Sequence, residues 1–562
     1  MEKANLKKIE FQGLPIIKKC IDDLGLKSVL EEIFPQHGNQ KTSTTDCILI
    51  MISNIILGRS PLYKIPIWAD SVHLPSITGS KETVDLSDDR LGRVLDQIQK
   101  SDHGSLITKV VQGAVQVFNI DLSRLHNDST SIKTYGQYPE KPSSKGLTFK
   151  HGHSKDHRPD LKQILLSLSI TEDGMIPLHY KCYNGNVTDD KTHIETWEFL
   201  RNLSQKNDFW YIADSKACTE EQLHYITSKK GKVITIMPKT WKEASDFTDA
   251  LKSGKVFTKK EIYRRPIAGS WDDENEYFSL FDCDHKTTKS GYKIHWIYSS
   301  EKKKRDRESR EKQLIKTESL FANLLPKINR GKLRNEQSIQ DEIDKIIKTT
   351  KSKELFRVKI DKVKDKEIKQ IGKGRPGENT KYKTEVDYIY SVSLTRNNGE
   401  IKKAAKADGV FPLLAAGGGI SGKAALLAYK KQPNLEKKFS YLKSVHEIAP
   451  IYLNNINRIE ALMLLYFLAI FIQSLVERSI RQAMKKKKLE ELPLYPENRD
   501  SYAPTTNLLM QNFNKVCAYR LEDERGKVVK TFKDELSDLQ IKILELIGLS
   551  ENKFWGQEFC VK

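Results

Sequence analysis

The sequence predicts an α/β protein. A mixed-sheet core is preceded by a helical N-terminal domain, interrupted by a basic β-rich and helical insertion, and followed by a helical C-terminal region. Three observations carry this. Apolar residues recur at helical spacing over residues 10–120. From Leu122 the pattern changes to short β-rich runs parted by turns. Between Glu301 and Arg375 stand 24 Lys and Arg against 13 Asp and Glu, a local +11 that holds over half of the whole-chain excess.

Taken in order, Ile17, Ile21, Leu24, Leu30 and Ile33 mark one apolar helix face and Cys47–Leu57 another, which gives a helical domain over 1–120. The runs LSRLHNDSTSI, LKQILLSLSIT, MIPLHYKCYNGN, FWYIADSKA and KVITIMPKT read as strands. THIETWEFLRNL and TEEQLHYITSKK read as helices between them, so residues 121–245 predict the order β-β-β-α-β-α-β. Residues 246–412 form the insertion, with strand-like YKIHWIYSS and VDYIYSVSLT around the charged block. Leu314, Phe321, Leu324 and Ile328 recur there at near-heptad spacing, which predicts a helix with one packed face and solvated basic ones. The core resumes over 413–490 with a helix from Gly422 to Lys443 and a longer one from Asn454 to Lys488. The tail, 491–562, reads as a polar Pro-rich linker and one short amphipathic helix, LQIKILELIGL.

At 562 residues the chain has room for three or four domains. Its 94 Lys and Arg exceed 74 Asp and Glu by a formal +20, which attracts polyanions, nucleic acid first among them. Seven cysteines without a C-x-x-C pair argue against a disulfide framework and a cysteine zinc site, and fit a reducing cytoplasm. MEKANLKKIEFQG lacks the apolar run of a secretory signal. The apolar stretch Ala461–Ile472 is shorter than the roughly 20 residues that span a bilayer, and predicts a buried helix rather than a membrane segment.

Two acidic residues stand in equivalent contexts: Asp128 in HNDST and Asp214 in YIADSKA, each at a predicted strand end. Alone, either is an ordinary turn former. Together, on one sheet edge, they are a pair that binds a divalent cation of the Mg²⁺ kind, and a third carboxylate is then expected. YKKQPNLEKKFSYLK supplies one: Tyr429, Glu436 and Lys443 lie seven and seven apart, on one helical face, with Pro433 starting or kinking the helix. The same spacing also suits a plain amphipathic helix with Leu435, Phe439 and Leu442 as its core side. Lys373-Gly374-Arg375-Pro376 looks like the core of an AT-hook, and equally like a loop. His151, His153 and His157 with Asp156 have spacing that could converge on zinc, a reading the rest of the pattern does not favour. Trp271 and Trp296 read first as core residues and only second as base-stacking ones.

These motifs resemble bacterial insertion-sequence transposases of the DDE type, in the group with a Tyr-x2-Arg-x3-Glu-x6-Lys signature. Tyr429, Glu436 and Lys443 fall on that spacing, while Gln432 stands where the pattern has Arg. Through HNDSTSI, GHSKDHRPDLKQ, YNGNVTDD, IADSKA, SDDRLGR and NRIEALMLLYFLAIFIQSLVER the chain is similar, over most of its length, to the insertion-sequence family "sixteen thirty-four". The resemblance implies an RNase H-like catalytic core with Asp128 on its first strand, Asp214 after the fourth and Glu436 on a later helix. It implies two Mg²⁺ ions on these three residues, with Mn²⁺ able to substitute. Tyr429, Gln432, Lys443, Lys155, Arg158, Lys373 and Arg375 would meet DNA, and Gln432→Arg would be tolerated or improve a phosphate contact. The expected partners are double-stranded DNA, both terminal inverted repeats and target, and a second copy of the chain; no membrane is involved. Domain 1–120 would bind DNA, and the protein would act in the bacterial cytoplasm at the nucleoid. The same triad would serve a nuclease that cuts without joining, and a decayed element would leave a non-catalytic DNA-binding protein.

Overall fold

In the computed structural model the chain is mixed α/β and divides into two compact units. The first holds Met1–Thr235, Ala416–Gly419 and Leu426–Lys562; the second holds Ile236–Ala415 and Ile420–Ala425. The structure describes all residues except 1–4, 37–41, 80–83, 136–137, 139–140, 154–157, 189–190, 268–273, 285, 447–452, 454, 498 and 561–562, and describes 367 and 385 by their backbone alone.

The first unit opens with strand β1, Asn5–Glu10, followed by helices that include Leu14–Asp23, Leu26–Ile33, Thr44–Ser53, Asp88–Lys100 and His103–Phe118. Thr44–Ser53 is buried at every position, as an all-round apolar helix must be, and the Ser43 hydroxyl accepts from the Asp46 amide to cap it. The sheet strands follow: β2 Arg124–Lys133, β3 Gln163–Thr171, β4 Pro177–Asn184, β5 Trp210–Ile212 and β6 Lys232–Ile236. Helices His193–Ser204 and Glu220–Ser228 stand between β4, β5 and β6, so the order β-β-β-α-β-α-β is observed. β2 pairs antiparallel with β3 and parallel with β5, β3 pairs antiparallel with β4, and β5 pairs parallel with β6. All nine residues of β3 are buried, which fits a strand covered on both faces.

The second unit carries strands β7 Thr258–Pro266, β8 Asn275–Asp282, β9 Lys293–Ser299, β10 Phe356–Gln370, β11 Tyr382–Arg396 and β12 Val410–Ala416. β7, β8, β9 and β12 pair antiparallel in that order. β10 and β11 form a long two-stranded ribbon. Helices Ser300–Ala322 and Glu336–Thr350 pack on its base through Phe321, Leu324, Ile328, Ile339, Ile343 and Tyr390. Of the near-heptad residues, Phe321, Leu324 and Ile328 share this packed core, Leu324 and Ile328 just past the helix end, and Leu314 is buried further up the helix. Trp296 is buried and stacks on Phe247 at 4.0 Å, a core role; Trp271 lies outside the described residues.

Back in the first unit, the expected Gly422–Lys443 helix is broken. One helix ends at Tyr429, and a second, Pro433–Ser444, begins where proline fits the first helical turn. The helix Ile456–Lys486 is long and apolar enough to cross a bilayer by composition, but 83% of its apolar window is buried, and it packs on β4 and the N-terminal helices as a core element. Arg478 fastens it with a bidentate pair to Asp173 beyond β3. The C-terminal tail departs from the expected linker and single helix. It forms strands β13 Cys517–Glu522 and β14 Val528–Lys533, and β13 pairs antiparallel with β1 at the other end of the sequence. Alternation in CAYRLE and VVKTFK was the available signal, and a strand partner some 500 residues away was not visible.

Candidate active site

Asp128 lies at the middle of β2 rather than at a strand end, and Asp214 caps a short turn just after β5, its carboxylate accepting from the Lys216 amide at 2.9 Å. The last paired residues of these parallel strands are His126 and Ile212. Each aspartate stands two residues further on, Asp128 within β2 and Asp214 in the turn that follows β5. Asp128 accepts from the Ser129 amide at 2.7 Å. Both aspartates are half-buried.

Glu436 reaches the same place from more than 200 residues away. Leu435, Phe439 and Leu442 are the buried stripe of Pro433–Ser444, which leaves Glu436, in the first turn, exposed. Tyr429 stands just before that turn, half-buried. Burial raises its phenol well above the ordinary tyrosine range, and the charges of Asp214, Asp128 and Glu436 raise it further. One hydroxyl thus feels all three carboxylates. Asp214 and Asp128 likewise raise the buried phenol of Tyr211 on β5, after desolvation.

Whether these residues fit a metal has two sides. Carboxylates are the hard oxygen donors a divalent cation prefers. Among the described residues, however, no group of three or more His, Cys, Asp or Glu is drawn tightly enough to hold an ion.

Gln432 occupies the position of the signature's arginine, and the structure corrects its expected role. It is 7% exposed; its amide nitrogen donates to the Asn127 carbonyl at 2.8 Å, and its oxygen meets His126 Nδ1 at 2.9 Å. The side chain faces inward and ties the glutamate helix to the strand of Asp128 rather than turning out toward a phosphate. Lys438, also buried, donates to Ser474 at 2.7 Å and pairs with Glu477 at 3.4 Å, binding the middle of the helix to Ile456–Lys486. Just past the helix end His446 meets the Ile55 carbonyl at 3.0 Å and the Gln473 amide at 2.8 Å. None of His126, Lys438 and His446 was singled out from the sequence. His126 sits in HNDST beside Asp128, and that adjacency was the only signal.

Lys443 lies half-buried in the last turn, two turns beyond Glu436. Arg158 makes a bidentate pair with exposed Asp160 at 2.8 and 2.7 Å and lies over the Tyr135 ring. Lys155, Asp156 and His157 lie outside the described residues, while His151 and His153 are exposed. Lys373 and Arg375 are exposed in the loop joining β10 to β11, within the second unit.

Residues 4–112 match the family model DUF4277, a domain of unknown function. No curated protein matches the chain. Among solved structures it is similar to a piggyBac transposase, in a synaptic complex with hairpin DNA, at 10% identity and a TM-score of 0.23. That match covers 52% of this chain and 60% of the other, less than two thirds of its length.

Proposed function

We propose that the chain is a DNA transposase of the DDE type, with an RNase H-like core in which Asp128, Asp214 and Glu436 are the catalytic carboxylates. The observation that carries this reading is that the neighbouring parallel strands β2 and β5 bear Asp128 and, in the turn after β5, Asp214, while Gln432 bonds the start of the Glu436 helix to the Asn127 carbonyl beside Asp128. The signature residues support it.

Mg²⁺ held by the three carboxylates would supply Lewis-acid polarisation of the scissile phosphate and of the attacking and leaving oxygens. The chain's own residues do the rest. Asp128 and Asp214 are carried by neighbouring paired strands and need little ordering before reaction. Gln432 and Lys438 hold the helix of Glu436 in place. Tyr429, kept protonated by its surroundings, is a donor able to orient a phosphate oxygen. The nucleophiles are water for cleavage and the freed 3′-hydroxyl for strand transfer, in line with the phosphate. The substrate is double-stranded DNA, and joining two ends in concert asks for two copies of the chain.

The test is Asp128→Asn, Asp214→Asn and Glu436→Gln, assayed on DNA carrying the element ends. Each should abolish cleavage and strand transfer while end binding survives, and double variants should lose no more than single ones. A wild-type chain that cuts without ever joining is a nuclease, and a Glu436→Gln chain that cuts normally has its third carboxylate elsewhere.

A further inference from the structure

The ribbon β10–β11 has fifteen residues per strand, a length of about 50 Å. Only its base is packed: Val358 and Ile360 on β10 and Tyr388, Tyr390, Val392 and Leu394 on β11 lie with the second unit's helices. Beyond them the ribbon is exposed, with Val363, Ile368, Tyr382 and Val386 each at least half accessible. A bare two-stranded hairpin is marginally stable in water, and a long exposed one invites pairing. This one therefore asks for a partner.

The register tells which partner. Lys362 pairs with Tyr390, Lys364 with Tyr388, Lys366 with Val386, Ile368 with Thr384 and Gln370 with Tyr382, so these residues share one face. That face has no carboxylate anywhere along the ribbon. Asp361, Asp365 and Asp387 all stand on the opposite face, interleaved with Lys359, Lys369 and Lys383. Strand period thus sorts a mixed sequence, RVKIDKVKDK, into a face whose only charges are cationic and a face of mixed charge. Lys362, Lys364 and Lys366 are exposed, Lys362 lies 4.2 Å from the Tyr388 ring centroid, and the tip continues with exposed Lys373 and Arg375. At the tip Gly372 and Gly374 hold φ of 110° and 137°, open to glycine, with nothing within 4 Å of where a Cβ would stand, so backbone can approach a partner closely.

We propose that the exposed lysines of the carboxylate-free face, Lys362 and Lys364 beside the packed Tyr390 and Tyr388 and Lys366 beyond them, together with the Lys373–Arg375 tip, dock in a groove of double-stranded DNA as a holding site separate from the acidic residues. A two-stranded ribbon fits the major groove, and three lysines along one face match a phosphate row. This deepens the transposase reading, and rests on it for DNA as the polyanion.

The test uses the full chain, a labelled random-sequence duplex and a salt series. In Lys362→Gln/Lys364→Gln/Lys366→Gln the log-log salt slope should fall in magnitude by about 2.7, from roughly 0.9 per phosphate, and affinity near 0.1 M salt should drop at least about tenfold. The control Lys359→Gln/Lys369→Gln/Lys383→Gln removes the same charge from the other face and should change affinity less than about twofold. Equal losses in the two triple variants, or none in the first, overturn the proposal. So does heparin bound as tightly as duplex with the same loss, which would make the face a general polyanion surface. The two readings fail separately. An Asp128→Asn chain that still cleaves, with the face effect intact, removes the catalytic assignment alone. An inactive Asp128→Asn chain with no face effect removes the ribbon alone.

Discussion

Replacing Gln432 with leucine keeps its bulk and removes both of its hydrogen bonds. The Asn127 carbonyl loses a donor, and His126 Nδ1 loses its partner inside a site where the His126 ring is 1% exposed. His126 Nε2 already faces the Glu172 carboxylate at 4.0 Å, so that side of the ring does not replace the bond lost at Nδ1. Leaving a buried polar group unsatisfied costs about 1–3 kcal/mol, so two such groups put the loss at roughly 2–6 kcal/mol. Urea unfolding followed by circular dichroism would measure it. Because the lost bonds join the helix of Glu436 to the strand of Asp128, cleavage should fall by more than end binding does. Gln432→Arg, which the signature alone would favour, places a larger charged group in the same buried site and should also destabilise, by at least about 1 kcal/mol. A Gln432→Leu chain within about 0.5 kcal/mol of wild type, cleaving at the wild-type rate, would refute the clamp.

Burial lowers the His446 imidazole to about 4 and the His179 imidazole to about 3, so both are neutral in the fold. Unfolded histidine takes up its proton near pH 6.5. The unfolded chain therefore binds more protons between those values; this contribution to stability is complete above pH 6.5 and is lost as pH falls toward 4 and then 3. His446 alone should cost about 2 kcal/mol between pH 7 and pH 5, and His446→Gln should flatten urea midpoints over that range. Lys438→Met leaves buried Glu477 with only Arg481 at 3.5 Å and the Thr506 amide at 3.1 Å, and should lower stability by about 2–3 kcal/mol, read by thermal denaturation. If the phenol serves the reacting phosphate, as proposed, cleavage by Tyr429→Phe should fall with the DNA Kd little changed; a large rise in Kd with normal cleavage would reverse that assignment.

Local pattern in the sequence already carried much of the fold. Period-2 runs and period-3.6 runs announce themselves within ten residues, so the β-β-β-α-β-α-β order, the glutamate helix with Leu435, Phe439 and Leu442 inward, and the apolar core helix around Ala461–Ile472 were all legible. Long-range pairing was not. The alternation of CAYRLE does not say that its partner is Asn5–Glu10, and nothing in HNDST says that the strand of Asp128 lies beside the strand that leads to Asp214 until β2 and β5 pair. The same holds for Gln432. As a letter it is a departure from an arginine pattern, whereas its burial between His126 and Asn127, some 305 residues away, makes it a brace inside the protein. In β10–β11 the order of lysines and aspartates is plain in the sequence, but which ones share a face depends on the pairing of the two strands. Propensity and periodicity are properties of neighbours along the chain, while register, burial and the field of a distant carboxylate are set by residues that only folding brings near.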